Sequence, residues 1–177
     1  MKVTITPYNA EWPLRFREIQ EQLLSTLQDV PIISTEHVGS TSIPSLAAKP
    51  VRDIDIIIEP SSLKAARNAL TDANYTDCGE MNIPGRFAFQ QPGYEKQDAA
   101  HGEGKDGEMR YNTYLLIEGC TALRNHLDVR RVLMENREPR EEYMSVKRKL
   151  QAMEFDDILR TAGWSEEELE PVLAANR

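Results

Sequence analysis

Cysteine is scarce in this chain, with two in 177 residues, Cys78 and Cys120. That is too few for a disulfide framework, and their spacing is not that of a metal-binding pair, so both read as reduced thiols. No His/Cys cluster has zinc spacing, and no Ser-His-Asp order is legible around His37, His101 or His126. Long apolar runs are missing too. The longest, Ile54 to Ile58 with Asp55 inside, is far too short to span a bilayer. The opening "MKVTITPYNAEW" lacks the apolar core and cleavage site of a signal peptide, which makes a cytoplasmic protein without a membrane partner the expectation. Positive charge is in deficit, with 21 basic against 29 acidic side chains and a net charge of −8. A chain this acidic attracts long polyanions poorly unless its basic residues gather on one face, so extended nucleic acid is disfavoured as a partner.

The residues present support a folded domain. Apolar residues make up 40% and charged residues 28%, ordinary values for a globular chain long enough to bury a core. Trp12, Phe16, Ile19, Leu23 and Leu27 recur three or four apart, which predicts an amphipathic helix capped near Asn9 with Pro13 in its first turn. Strands are expected at Ile32 to Val38, Val51 to Glu59, Arg86 to Gln90 and Arg110 to Glu118, and a helix at Leu63 to Ala73 behind the Pro60-Ser61-Ser62 stop. "QPGYEKQDAAHGEGKDGE" reads as a long loop. Beyond Gly119 the pattern turns helical, over Thr121 to Asn136, Pro139 to Met153, Asp156 to Thr161 and Ser165 to Asn176, with Ser165 and Glu168 forming a capping box. The expected fold is α+β in a single domain over 1–177, with a mixed α/β half to about 119 and a helical tail from about 120.

The strand at Val51 to Glu59 carries a charge problem. Side chains alternate along a strand, so Asp53 and Asp55 point the same way, about 7 Å apart, while Ile54, Ile56 and Ile58 pack inward. Two carboxylates that close repel, so either this face of the strand is simply solvated or something neutralises the pair, and Mg²⁺, a hard cation that prefers oxygen ligands, is suited to do so. Upstream stands Val38-Gly39-Ser40, where glycine lets the backbone come close to a ligand and exposed N–H groups can form an anion nest. A Gly-Ser turn followed by a hydrophobic-flanked D-x-D resembles the signature of the nucleotidyltransferase superfamily. That likeness implies a nucleotide whose phosphates are held by the turn and bridged by Mg²⁺ to the carboxylates.

The longer stretch "EHVGSTSIPSLAAKPVRDIDI" resembles the hallmark of the GrpB-like family of the UPF0157 type, H-I-G-S-T-S-V-P-G-L-A-A-K-P-I-I-D-I. Trp12-Pro13 and Phe16 match that family's N-terminal helix, and Tyr143 with Lys147 matches its Tyr-x-x-x-Lys helix, so the resemblance covers nearly the whole chain. It implies a nucleotidyltransferase-like fold, a small mixed β-sheet with flanking helices and a C-terminal helical tail. The family also occurs fused to a coenzyme A-biosynthetic kinase. Two departures stand out. The family's His-x-His strand corresponds here to Asn112-Thr113-Tyr114, and its Phe-Arg-Asp-x-Leu to Val129-Arg130-Arg131-Val132-Leu133.

The expected site follows from these matches. Asp53 and Asp55 are the catalytic and metal-holding pair, with Glu118, on the same strand face as Asn112 and Tyr114, as the third carboxylate. Gly39, Ser40, Thr41, Ser42 and Lys49 are expected at the phosphates, joined by Arg130 and Lys147 if these face the cleft. His37 reads either as a bonded strand-end residue or as a neighbour of the phosphates. His101 and His126 read as solvated, as do Glu141, Glu142 and the other acids of the tail. The expected activity is transfer of a nucleoside monophosphate with Mg²⁺. The alternative is a module that binds a phosphorylated metabolite or a protein without turnover.

Overall fold

The computed structural model describes residues 4–94 and 110–151. The expected helices at Asp156 to Thr161 and Ser165 to Asn176, and most of the long loop with His101, lie outside the described residues. Four helices and five strands are present within them: α1 (Trp12–Thr26), β1 (Ser34–Val38), β2 (Arg52–Ile58), α2 (Leu63–Asp72), β3 (Thr76–Gly79), β4 (Arg86–Gln90), β5 (Tyr111–Ile117), α3 (Thr121–Glu135) and α4 (Arg137–Gln151). The fold is α+β, as the pattern predicts. None of these helices is long and apolar enough to cross a membrane.

The strands form one mixed sheet in the order β1-β2-β5-β4-β3. β1 and β2 run antiparallel, β2 and β5 run parallel, and β4 is antiparallel to both β5 and β3. β2 therefore lies between two partners within the sheet, and its isoleucines at 54, 56 and 58 alternate onto the one face that the helical core covers. Ile54, Ile56 and Ile58 are fully buried against α1 and α2, together with Leu23, Leu27, Leu70, Phe89 and Leu115. Burying a leucine of this kind contributes roughly 1.5–3 kcal/mol. That core fastens one face of the sheet. The other face carries Asp53, Asp55, Asn112 and Tyr114, and α3 and α4 pack over its end nearest the β1–β2 connection.

Several boundaries differ from expectation for local reasons. Asn9 does not cap α1 directly; its Oδ1 accepts from the Glu11 N–H at 2.8 Å, one residue ahead of the helix. Ser62 makes no side-chain cap, because Pro60–Ser62 winds as a 3₁₀ turn that runs straight into α2. β3 has no apolar alternation to reveal it, since "TDCG" pairs only along one edge with β4 and carries a register shift. Cys120 has a structural use, with Sγ accepting from the Leu123 N–H at 3.5 Å at the start of α3. Both cysteines are free thiols.

Candidate functional site

The site is built around the turn that joins β1 to β2. Val38 pairs with Asp53 across the two strands, and the chain leaves β1 through Gly39 at φ 70 and ψ −174. Glycine is required there by contact as well as by backbone angle. A Cβ at position 39 would fall 2.2 Å from Asp53 Oδ2. The carboxylate thus lies over the bare Cα of the turn, and Ser40–Ser42 follow as one 3₁₀ turn. Ser42 Oγ donates back to the Gly39 carbonyl at 2.6 Å, and Thr41, buried, donates to the Val51 carbonyl at 3.1 Å. Both residues therefore shape the turn. Ser40 is the one whose hydroxyl turns to α4, bonded by Lys147 Nζ and lying 3.2 Å from Tyr143 Oη.

The two aspartates do not sit side by side at a cleft, as strand alternation alone suggests. Asp53 is partly exposed and lines a cavity of about 270 Å³. Asp55 is fully buried one step further along the strand. Asn112, its register neighbour on β5, donates to Asp53 Oδ1 at 2.8 Å. His126 Nδ1 on α3 lies 2.7 Å from Asp55 Oδ2. Asp55 Oδ1 is buried and has no hydrogen-bond partner among the described residues. Burial pushes both carboxyl groups up from the ordinary aspartate range; Asn112 and Lys49 hold Asp53 down in part, and His126 does the same for Asp55. The like-charge problem is thus answered largely within the chain, by different depths and separate donors.

His126 is a correction, because it is an anchored part of the site and not a solvated helix residue. A carboxylate only accepts, so Nδ1 carries the proton and Nε2 is the nitrogen left over. The hydrogen bond to Asp55 raises the His126 pKa, and burial works against it. The Tyr114 ring packs edge-on to the imidazole, 6.0 Å between centroids, and is itself covered by the Arg86 guanidinium. A sequence signal exists in hindsight. His126 and Arg130 are four apart, so a helix that turns one toward the sheet turns both.

Glu118 is also corrected. Ile117 pairs with Ile58 at the far end of β2, so Glu118 lies six residues along β5 from Asn112, about 20 Å from the Asp53 level, and is exposed. Its N–H closes the sheet by donating to Ile58 O. No group of three or more His, Cys, Asp or Glu side chains placed to hold a metal occurs among the described residues. Arg130 lines the cavity, but its guanidinium is engaged, with Nη1 donating to His37 O at 2.6 Å and Nη2 to Glu36 Oε2 at 2.8 Å.

Lys147 is the basic residue of α4 that reaches the turn, while Arg148 and Lys149 are exposed. Burial lowers the pKa of both Lys147 and Lys49, and Asp53 pulls each back up. Two partly buried ammonium groups therefore flank one carboxylate. Arg124 and Arg131 serve α3 itself, through Thr121 and through Asp128 and Glu135.

His37 supports the turn from behind. Its ring stacks on Phe16 at 4.6 Å and 5°, and Nε2 lies 3.1 Å from Thr41 Oγ1. The one hydroxyl proton of Thr41 goes to Val51, so His37 must donate from Nε2. Burial, aided by Arg52 and Arg130, lowers its pKa to about 4. Unfolded, this imidazole takes a proton near 6.5. Its contribution is thus complete above pH 6.5 and is lost as pH falls toward 4, a swing of about 2–3 kcal/mol. Asp53 and Asp55, both raised, act in the opposite sense over acid pH. Comparison with His37→Gln isolates the histidine: urea unfolding at pH 7 and pH 4.5 should show a smaller acid loss in the variant than in the wild type.

Comparison with known proteins agrees with this architecture. Residues 2–163 match the family model described as "GrpB protein". The chain belongs to the GrpB family. Relatives include the UPF0157 protein YqkA of Bacillus subtilis, 33% identical over 160 residues, which span 89% of this chain and 42% of that protein. The UPF0157 protein BH1888 of Halalkalibacterium halodurans is 27% identical over 88% of this chain and 73% of its own length. The chain thus spans less than half of one of these relatives and about three quarters of the other. A crystal structure of the conserved protein GrpB from Enterococcus faecalis superposes with a TM-score of 0.66 at 20% identity, covering 98% of this chain and 93% of that one. In this GrpB family member Asn112 and Tyr114, which stand where the resemblance predicts histidines, are both at work in the site, one on Asp53 and the other against His126.

Proposed function

We propose that this GrpB family member binds a nucleotide or a related phosphorylated small molecule at the β1–β2 turn and transfers a nucleoside monophosphate from it. The observation that carries the reading is the convergence of Gly39, Ser40 and Asp53 with Lys147 at one end of a cavity. Ser40 Oγ, Tyr143 Oη and the Lys147 ammonium supply donors for phosphate oxygens, with Lys49 close enough to Asp53 to add charge. Val38, Ile43, Val129 and Leu133 give the remainder of the cavity an apolar wall suited to a base or another flat group.

The donor set fits Mg²⁺ in one form. Asp53 offers one carboxylate to the cavity, whereas Asp55 is buried and bonded to His126. One carboxylate suits an ion that arrives on the ligand's phosphates and keeps several waters. Asp53 is the residue that would hold it, and the ion, when bound, offsets phosphate charge. Asn112 fixes the Asp53 carboxylate, and the Gly39 turn sets the distance between that carboxylate and the Ser40 donors.

Thermal shift with ATP, GTP, CTP and UTP, each with and without Mg²⁺, tests the reading. At least one nucleotide should raise Tm, more with Mg²⁺ than without. Asp53→Asn should abolish the Mg²⁺ increment, and Lys147→Met should weaken the shift under both conditions. Equal stabilisation of wild type and both variants would overturn the assignment. The second reading, a module without turnover, is favoured by the sequestered Asp55 and the distant Glu118. Mg²⁺-dependent release of pyrophosphate separates the two.

A further inference from the structure

Asp55, fully buried, and His126, half-buried, form a pair to which the phosphate-binding reading gives no role, although His126 lines the same cavity. Asp55 is fully buried, Oδ2 is 2.7 Å from Nδ1 of His126, and Oδ1 has no hydrogen-bond partner among the described residues, so within them the carboxylate is bonded to this imidazole alone. Tyr114 closes on the ring from the side. His126 lines the same cavity as Asp53, Gly39 and Ser40, and its Nε2 makes no hydrogen bond among the described residues. A ring fixed by a buried carboxylate at Nδ1, with Nε2 unengaged, is oriented for chemistry at Nε2.

We propose that His126 is the nucleophile of the transfer and Asp55 its positioning residue, so that the reaction passes through a nucleotidyl-histidine. This rests on the nucleotide-binding reading above. In the first step the Nε2 lone pair forms a bond to the α-phosphorus. The bond from that phosphorus to the bridging oxygen breaks, and its electron pair leaves with pyrophosphate. The Nδ1 proton stays on the ring, where the Asp55 carboxylate balances the positive charge the imidazole acquires. In the second step a hydroxyl oxygen of the acceptor, or of water, bonds to phosphorus. The nitrogen–phosphorus bond breaks, its electrons return to Nε2, and the hydroxyl proton passes to solvent. Two displacements would also suit a site with one accessible carboxylate, because each step needs only one oriented group of the protein at the reacting atom.

The test is intact-mass measurement of the full chain after incubation with each of the four nucleoside triphosphates and Mg²⁺. The expected result is an added mass of one nucleoside monophosphate residue, lost in acid and stable in alkali as a phosphoramidate should be, and mapped to His126 by peptide sequencing. His126→Asn keeps a donor for Asp55 and should lose the adduct while keeping the nucleotide thermal shift. Asp55→Asn should lower adduct yield about tenfold or more at unchanged nucleotide binding, the scale of a lost orienting partner. Nucleotide stabilisation without any adduct, or an adduct that persists in His126→Asn, overturns the nucleophile and leaves the binding reading standing. Absence of stabilisation by all four nucleotides overturns both.

Discussion

Gly39→Ala is expected to lower stability by about 3–5 kcal/mol. Two costs combine. The backbone at φ 70 and ψ −174 lies in a region that essentially only glycine occupies, worth about 1–3 kcal/mol to any other residue. The new Cβ would also lie 2.2 Å from Asp53 Oδ2, 3.0 Å from its Cγ and 3.2 Å from its Cβ. A rotation of the carboxylate relieves the first of these contacts but not the last, because Asp53 is a short side chain on a central strand. For a chain of this size each kcal/mol moves Tm by roughly 2–4 °C, so a fall of about 6–20 °C is expected in thermal unfolding. Adding Asp53→Ala should recover about 1–2 kcal/mol of the loss, since the contacts with Oδ2 and Cγ then vanish and only the 3.2 Å approach to the residue-53 Cβ remains. If the double variant is as unstable as the sum of the singles, the contact is not the cause.

His126→Leu should cost about 3 kcal/mol at pH 7, because it leaves a fully buried carboxylate with no donor among the described residues at either oxygen. The imidazole's packing is replaced by leucine, so the loss reports mainly on Asp55. Removing both partners is a different matter. Replacing a buried polar pair by apolar side chains is often near neutral, and Asp55→Val suits a strand whose neighbours are isoleucines. The cycle of His126→Leu, Asp55→Val and the double variant, measured by urea unfolding at one pH, should give a coupling of about 2–3 kcal/mol. Additive losses would show that the 2.7 Å bond does not carry the stability assigned to it.

Much of the fold is legible in the residues because periodicity speaks for the elements with one buried face. The α1 stripe of Trp12, Ile19, Leu23 and Leu27 is buried as its spacing predicts, and β2 is an interior strand of the sheet, between β1 and β5, with Ile54, Ile56 and Ile58 fully buried. β3 was not legible, since four residues at an edge with no apolar side carry no period. In the site, Gly39, Ser40 and Asp53 do converge, and Lys147 reaches Ser40 from 107 residues away. The depth difference between Asp53 and Asp55 was not legible, because alternation gives a face and says nothing of what covers it. α3 lies over Asp55, so the second carboxylate meets an imidazole. Glu118 shows the complementary limit: it has the right face, but the parallel register with β2 sends it to the wrong end of the strand. Arg130 does face the site, yet Glu36 already holds it.

The attachment of α4 has a consequence of its own. No described residue of that helix is fully buried, and its polar ties run from Arg140 to the carbonyls of Leu133 and Met134, and from Tyr143 and Lys147 to Ser40. A helix so lightly seated opens at low free energy compared with the sheet beneath it. Among the described residues, the ties from Tyr143 and Lys147 both end on the hydroxyl proposed to meet phosphate. Any anion that takes up Lys147 must either bridge it to Ser40 or release it, so occupancy of the turn and docking of the helix are thermodynamically linked.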